Sequence, residues 1–239
     1  MLAQGTRRLP LSAAQRGVWF AHQFDTGGRK YNCGEQIEIA GDVDPTAVRA
    51  AWTVLRAEAD VLRVRSIGAD DEGLWQYLDA PDLGEQGQDG PPSGDPPLLD
   101  LSADPDPRAR ADEWVQAELA TPVDLEKGPL SHAALLRLGP GEFRFFYRIH
   151  HILVDAFSVH LLRRRLAELC TDPESGGGFG PLAELAEEEA AYRSSERFAA
   201  DRDYWMERFA DRPEPFLLPG TPAGEDPPLR LRLERRVTA

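Results

Sequence analysis

The chain has 239 residues, 41% of them apolar, which is enough for one large domain with a hydrophobic core. No apolar run approaches the roughly 20 residues that a transmembrane helix needs, and no apolar stretch of a signal peptide follows the N-terminus. The formal net charge of −14 argues against nucleic acid and membranes as partners, because phosphate groups are bound through clustered lysines and arginines.

The first half of the sequence predicts an alternation of helices and strands. Helices are predicted to begin after Ser12, Asp44 and Asp106, where a capping side chain precedes apolar residues at helical spacing. Proline follows the cap at Asp44 and at Asp106, as is common at the first helical position. Strands are predicted at 33–40, 61–64, 74–78 and 98–101, and residues 83–97, rich in glycine, proline and acid, predict a surface loop.

A β-hairpin is the clearest prediction in the middle of the chain. Two apolar strands, 130–138 and 143–150, are joined by the turn sequence Gly-Pro-Gly-Glu. A helix with one apolar face follows Asp155 and ends near residue 171. One or two charged helices are predicted within 182–209, and the alternating pattern at 229–233 predicts a strand.

The motif His150-His151-x-x-x-Asp155 lies where the second hairpin strand ends and the next helix begins. Adjacent residues of a strand point to opposite faces, so the two histidines cannot easily converge on a metal ion. One imidazole can instead face a cavity and handle a proton near neutral pH, while the other packs inward. A structural cluster at a strand end is the alternative. Cys33 and Cys170 lack zinc-site spacing, so we expect no metal and a reducing, cytoplasmic location.

Three ordered segments resemble the signature motifs of nonribosomal peptide synthetase condensation domains. SAAQRGVW at 12–19 is similar to the family's S-x-A-Q…W opening, and DVLRVR at 60–65 is similar to part of its R-H-E-x-L-R-T-x-F element. HHILVDAFS at 150–158 is similar to H-H-x-x-x-D-G-x-S. The segment PVDLEKGPL at 122–130 and the charged helices after the motif also match the family's order, so the resemblance covers essentially the whole chain.

The resemblance implies a two-layer α/β sandwich, the chloramphenicol-acetyltransferase-like lobe that forms the N-terminal half of such a domain. Residues 1–172 would form this lobe, and 173–239 would be linker helices and the beginning of a truncated C-terminal lobe. Carrier proteins would deliver donor and acceptor on phosphopantetheine arms, and the chain itself would bind no cofactor. The partners implied are therefore the carrier proteins and the second lobe of the same domain.

The resemblance also assigns roles to the motif residues. His151 would act as base or position the acceptor amine, His150 would be a packing residue, and Asp155 would pair with Arg63 to shape the loop. Ala156 stands where the family has glycine, and its methyl group would narrow the tunnel or tilt the loop. Ser158 is read as a helix cap in preference to a catalytic hydroxyl.

Three functions are compatible with these motifs. The first is an acyltransferase-type condensation enzyme that joins a carrier-bound donor thioester to an acceptor amine, with the isolated lobe inactive without its second half. The second is a degenerate scaffold or carrier-docking lobe. It is favoured by Ala156 and by the second motif, which has Glu58-Ala59-Asp60 in place of the family's R-H-E. The third is a sister activity on the same fold, such as epimerisation, ester formation or free-standing acyl transfer.

Overall fold

The structure is a computed structural model that describes residues 6–80 and 96–212. Within these ranges, helices and strands alternate in the first half of the chain and helices dominate the end. The helices are α1 (Ala13–His22), α2 (Pro45–Glu58), α3 (Pro107–Leu119), α4 (Ala156–Thr171), α5 (Leu182–Arg193) and α6 (Glu196–Arg208). The strands are β1 (Arg7–Pro10), β2 (Asn32–Ala40), β3 (Val64–Asp70), β4 (Gly73–Leu78), β5 (Leu98–Asp100), β6 (Ser131–Gly139) and β7 (Glu142–His150).

The strands form two sheets. A three-stranded antiparallel sheet has the order β1-β4-β3, and a four-stranded sheet has the order β2-β7-β6-β5. In the larger sheet β7 is central and runs antiparallel to both β2 and β6, whereas β5 joins the edge in parallel. The predicted hairpin is β6–β7, with the expected turn between Gly139 and Glu142.

One face of the larger sheet is covered by α2 and α4 and is almost entirely apolar. Trp52 of α2 packs its ring against Phe145 and Tyr147 of β7, with ring centroids 5.4 Å apart in both cases. Leu162 and Leu166 of α4 belong to the same buried cluster. This burial of large aromatic and aliphatic side chains is the main source of stability for the lobe.

The opposite face of the sheet is covered by α3 and mixes apolar and charged residues. Val115 of α3 packs with Phe146 of β7 in a second buried cluster. Arg144 on the same face of β7 is buried and donates to Asp112 of α3 and to Glu38 of β2. The α/β class predicted from the sequence is confirmed. Helices cover both faces of the larger sheet, so at this sheet α3 adds a layer to the two of the predicted sandwich.

The predicted helix starts are confirmed, because Ser12, Asp44 and Asp106 are the N-caps of α1, α2 and α3. The strand predicted at 61–64 is wrong, since Asp60–Arg63 forms a 3-10 helix and the strand begins only at Val64. Most of the predicted 83–97 loop and the predicted strand at 229–233 lie outside the described residues.

The chain divides into two compact units, Met1–Ala191 and Tyr192–Ala239. The described part of the second unit contains α6, which is capped by the Ser195 side chain and presents exposed Trp205 and Phe209 in stacked contact. The boundary proposed at 172/173 stays a prediction. No helix in the described ranges has both the length and the hydropathy to cross a membrane.

Candidate active site

The two histidines lie at the C-terminal end of β7 and in the turn that leads to α4. Backbone hydrogen bonds fix this turn from both sides. The N–H of His150 donates to the Leu130 carbonyl at 2.8 Å, and the N–H of His151 donates to the Tyr31 carbonyl at 2.8 Å. Leu153 N–H closes the turn on the His150 carbonyl at 2.9 Å, so the central strand of the sheet positions the motif.

His150 is completely buried, and both of its ring nitrogens have partners. The backbone N–H of Ile152 lies 3.1 Å from Nδ1, and Nδ1 of His22 lies 3.3 Å from Nε2. Burial, together with the neighbouring His22 and His151, lowers the pKa of His150 to about 3. The ring is therefore neutral at physiological pH, in agreement with the packing role expected for it.

His151 is exposed, in contrast to its neighbour. Its Nδ1 lies 2.6 Å from the backbone carbonyl oxygen of Val154. A carbonyl only accepts, so Nδ1 carries the proton and Nε2 of the neutral ring keeps its lone pair. No described residue hydrogen-bonds this Nε2, which leaves it available as an acceptor toward solvent or substrate.

Asp155 is the N-cap of α4, and the ion pair with Arg63 that the resemblance implies is not formed, because Arg63 pairs with Asp60. Its Oδ1 accepts from the backbone N–H and from the hydroxyl of Ser158, both at 2.7 Å. These hydrogen bonds lower the pKa of Asp155, with the hydroxyl bond as the larger cause. Asp155 is exposed, so its charge needs no cationic partner.

Arg63 is held at a different place in the lobe. Its guanidinium pairs with Asp60 and donates to the Asp79 carbonyl at 2.9 Å. Asp60 in turn accepts from the backbone N–H of Leu182 at 2.9 Å. Arg63 therefore joins the end of the 3-10 helix to the end of β4, and its assignment to the histidine loop stays a prediction without contact support.

Ser158 and Ala156 both lie in the first turn of α4. Ser158 donates its hydroxyl to the cap residue Asp155, so Asp155 is the cap and Ser158 is its partner. Ala156 is the first residue of the helix and is exposed, and its backbone does not have positive φ. The methyl group is compatible with this helical backbone, so the expected tilt of the loop is not required.

Two residues that support the site were not identified from the sequence. His22, at the end of α1, packs edge-to-face on His150 with ring centroids 5.1 Å apart. Tyr31 lies 5.9 Å from the His150 ring and holds the His151 N–H through its carbonyl. A lone histidine and a loop tyrosine carry no local pattern that could have indicated this contact, because it joins residues far apart in the chain.

The family model for the condensation domain matches residues 6–228 of the chain. The chain belongs to the condensation domain family. Isonitrile lipopeptide synthase from Streptomyces coeruleorubidus is 40% identical over 239 residues, which cover 97% of this chain and 15% of that protein. The crystal structure of the starter condensation domain of rhizomide synthetase RzmA matches with a TM-score of 0.76 and 32% identity, over 87% of this chain and 49% of that one.

A mutant of the same RzmA condensation domain, in complex with C8-CoA and Leu-SNAC, matches with a TM-score of 0.71 and 32% identity, over 85% of this chain and 46% of that one. The chain thus spans about half of the solved condensation domains and a smaller share of the curated synthetases. The fold inferred from the motifs is confirmed by these structural matches.

The residues of the condensation-domain motif therefore occupy three different positions in the structure. His150 is part of the core, His151 is presented at the surface, and Asp155 with Ser158 begins the following helix. Among the described residues, no group of three or more His, Cys, Asp or Glu side chains is placed to hold a metal ion.

Proposed function

We propose that this chain is the N-terminal lobe of a condensation domain that forms an amide between a carrier-bound donor thioester and an acceptor amine. The observation that carries the proposal is the state of His151. Its ring is exposed, and the hydrogen bond from Nδ1 to the Val154 carbonyl directs the lone pair to Nε2. A fixed imidazole lone pair at a protein surface is suited to accept a proton or to position an amine.

The chemistry assigned to His151 is a proton transfer. The acceptor amine attacks the carbonyl carbon of the donor thioester, a C–N bond forms, and the amine proton passes to Nε2 or is oriented by it. The tetrahedral intermediate then expels the thiolate, the C–S bond breaks, and the proton is returned to sulfur to give a thiol. No covalent acyl-enzyme is formed, and the neutral His151 is regenerated.

The partners proposed for this reaction are carrier proteins, which bring both substrates on phosphopantetheine arms. The matched RzmA domain in complex with C8-CoA and Leu-SNAC supports this class of substrate, because it is a condensation domain of the same fold. The chain itself would contribute the histidine and one wall of the site, without a bound cofactor.

The described lobe lacks a second wall around His151, whose ring is exposed. We infer that residues 173–239 lead into a C-terminal lobe that completes the site. We also infer that the 239-residue chain alone does not turn over. Orientation of two reactants contributes roughly 7–11 kcal/mol to such reactions, and one wall cannot supply it.

The experiment that tests the proposal is a reconstitution with the complete condensation domain and loaded donor and acceptor carriers. Mass spectrometry of the acceptor carrier should show an amide-linked product, and the 239-residue chain alone should give none. An ester product or an epimerised acceptor would replace amide formation by a sister activity. Carrier binding without any product from the complete domain would support the degenerate scaffold and contradict the proposal.

A further inference from the structure

We infer that His22 is a positioning residue for the reaction: its Nδ1 accepts a hydrogen bond from His150 and thereby fixes the turn that presents His151. The inference rests on the proposed function of His151. It concerns a contact between the last residue of α1 and the last residue of β7, which lie 128 positions apart.

The direction of the hydrogen bond follows from the partners of His150. The Ile152 backbone N–H is a donor and lies 3.1 Å from Nδ1, so Nδ1 must accept and cannot carry a proton. The single proton of the neutral His150 ring is therefore on Nε2. Nε2–H donates to Nδ1 of His22, so this Nδ1 is the acceptor and carries no proton.

The position of the His150 ring affects His151 through the backbone of the turn. His151 lies between His150 and Ile152, and the bond from Ile152 N–H to the His150 ring spans this residue. Without the His22 acceptor, the buried Nε2–H of His150 would have no partner, and the ring would leave its position against the Ile152 N–H. The turn would then move, and with it the 2.6 Å contact that holds His151 on Val154.

His22 is itself held in place by packing. Its ring contacts the rings of Tyr31, with centroids 6.2 Å apart, and of His150, with centroids 5.1 Å apart. The loop after α1 is fixed by buried Asp25, which accepts from the backbone N–H groups of Gly27 at 3.1 Å and Lys30 at 2.8 Å. The acceptor for His150 is thus on a side chain that is held by ring contacts and precedes a hydrogen-bonded loop.

The contact joins two imidazole rings, His150 and His22. This polarity indicates that the pair positions the turn and does not merely fill space in the core. An apolar residue at position 150 would avoid the desolvation of an imidazole, yet here both ring nitrogens are used, one toward the turn and one toward His22. A buried ring with two directional hydrogen bonds specifies one orientation, which apolar packing would not do.

The first test is structural and uses the 239-residue chain. His22→Leu removes the acceptor, whereas His22→Asn keeps an oxygen near the position of Nδ1, and His160→Leu is a matched control on α4. Two-bond proton–nitrogen correlation spectra should show one Nε2–H tautomer for His150 in the wild type, in His22→Asn and in His160→Leu. Because the Ile152 N–H keeps His150 in this tautomer in every variant, we expect His22→Leu to shift the His150 Nε2 and Nε2–H resonances, whose acceptor is lost. An unchanged His150 spectrum in this variant would overturn the inference.

The second test measures condensation by the complete domain. His22→Leu should lower kcat by roughly 10- to 100-fold with KM unchanged, since a small misplacement of a reacting group has effects of this size. His22→Asn should restore kcat, and His160→Leu should leave it unchanged. Wild-type kcat in His22→Leu, when His151→Ala is inactive, would overturn the positioning role.

The two tests separate this inference from the proposed function. If His151→Ala retained wild-type activity, the proposed role of His151 would be refuted. The spectra alone would then decide whether His22 accepts the hydrogen bond from His150, with shifted His150 Nε2 resonances in His22→Leu as support and unchanged ones as refutation.

Discussion

Strand β7 and the residues that follow it differ in how far their side chains are buried. Every residue of β7 from Phe143 to His150 is buried, because helices cover both faces of the sheet at this strand. One position later His151 is exposed, and Asp155, Ala156 and Phe157 are exposed as well. The turn nevertheless returns to the core, because Ile152, Leu153 and Val154 are buried. The difference shows that the His151 side chain is presented to solvent from between buried residues.

This arrangement anchors His151 to the core without burying its side chain. The turn is tied to the core by the N–H groups of His150 and His151 and by the ring of His150. The side chain of His151 is fixed by one short bond to Val154. Stability should therefore depend on β7, and activity should depend on the turn, which the following substitutions can separate.

The largest expected difference compares the same substitution in the two regions. Phe145→Ala, in the fully buried part of β7, should lower the free energy of unfolding by about 3–5 kcal/mol through lost burial and a cavity. Phe157→Ala, at a side chain that is 67% exposed, should change it by less than about 0.5 kcal/mol. Urea unfolding of both variants measures this, and equal losses would contradict the distinction between the buried strand and the exposed first turn of α4.

The second prediction concerns pH. The folded state keeps His150 neutral with a pKa of about 3, below the ordinary histidine value of 6.5, so the unfolded state binds the proton more readily between these values. The contribution of His150 is present above pH 6.5 and is lost as the pH falls toward 3. Between pH 7 and 5 the wild type should lose on the order of 2 kcal/mol more than His150→Leu. Parallel unfolding curves across this range would refute the burial of a neutral His150.

The third prediction tests the cap in the turn. Asp155→Ala removes the acceptor for the Ser158 N–H and hydroxyl and should lower stability by about 1 kcal/mol. Asp155→Asn keeps an acceptor oxygen and should lose much less. Arg63→Ala serves as the comparison, because an Asp155–Arg63 ion pair would make the two alanine variants non-additive. Thermal unfolding should instead show additive losses in the double variant.

The smallest effect is expected at Ala156. Ala156→Gly restores the residue that the family motif has at this position but removes a good helix former from the first turn of α4. Stability should fall by less than about 1 kcal/mol, measured by the same unfolding experiment. A gain in stability would show that the methyl group strains the turn.

The sequence predicted the parts of the fold that depend on local patterns. The caps at Ser12, Asp44 and Asp106 and the β6–β7 hairpin have short-range signatures, and the structure confirms them. The strand predicted at 61–64 was wrong because its three apolar residues, Val61, Leu62 and Val64, are also compatible with a 3-10 turn. That turn buries Leu62 while its N–H bonds back to Ala59.

Contacts between distant segments could not be predicted in this way. The motif predicted that one of the two histidines packs inward, and the resemblance assigned this role to His150, whose ring is buried. Neither indicated that His22 would contact it. The resemblance paired Asp155 with Arg63 by their places in the motifs, whereas the local sequence Asp-x-x-Ser already favoured a helix cap. The burial of Arg144 could not be predicted from its apolar strand, because its partners Glu38 and Asp112 come from two other elements.

The most direct test of the account is the rate of amide formation by a complete condensation domain carrying His151→Ala, measured alongside its free energy of unfolding. The exposed ring contributes little to the core, so stability should stay within about 0.5 kcal/mol of the wild type. The rate should fall by roughly 10²- to 10⁴-fold, the range expected for loss of a general base. A wild-type rate in this folded variant would contradict the central claim that His151 performs the chemistry.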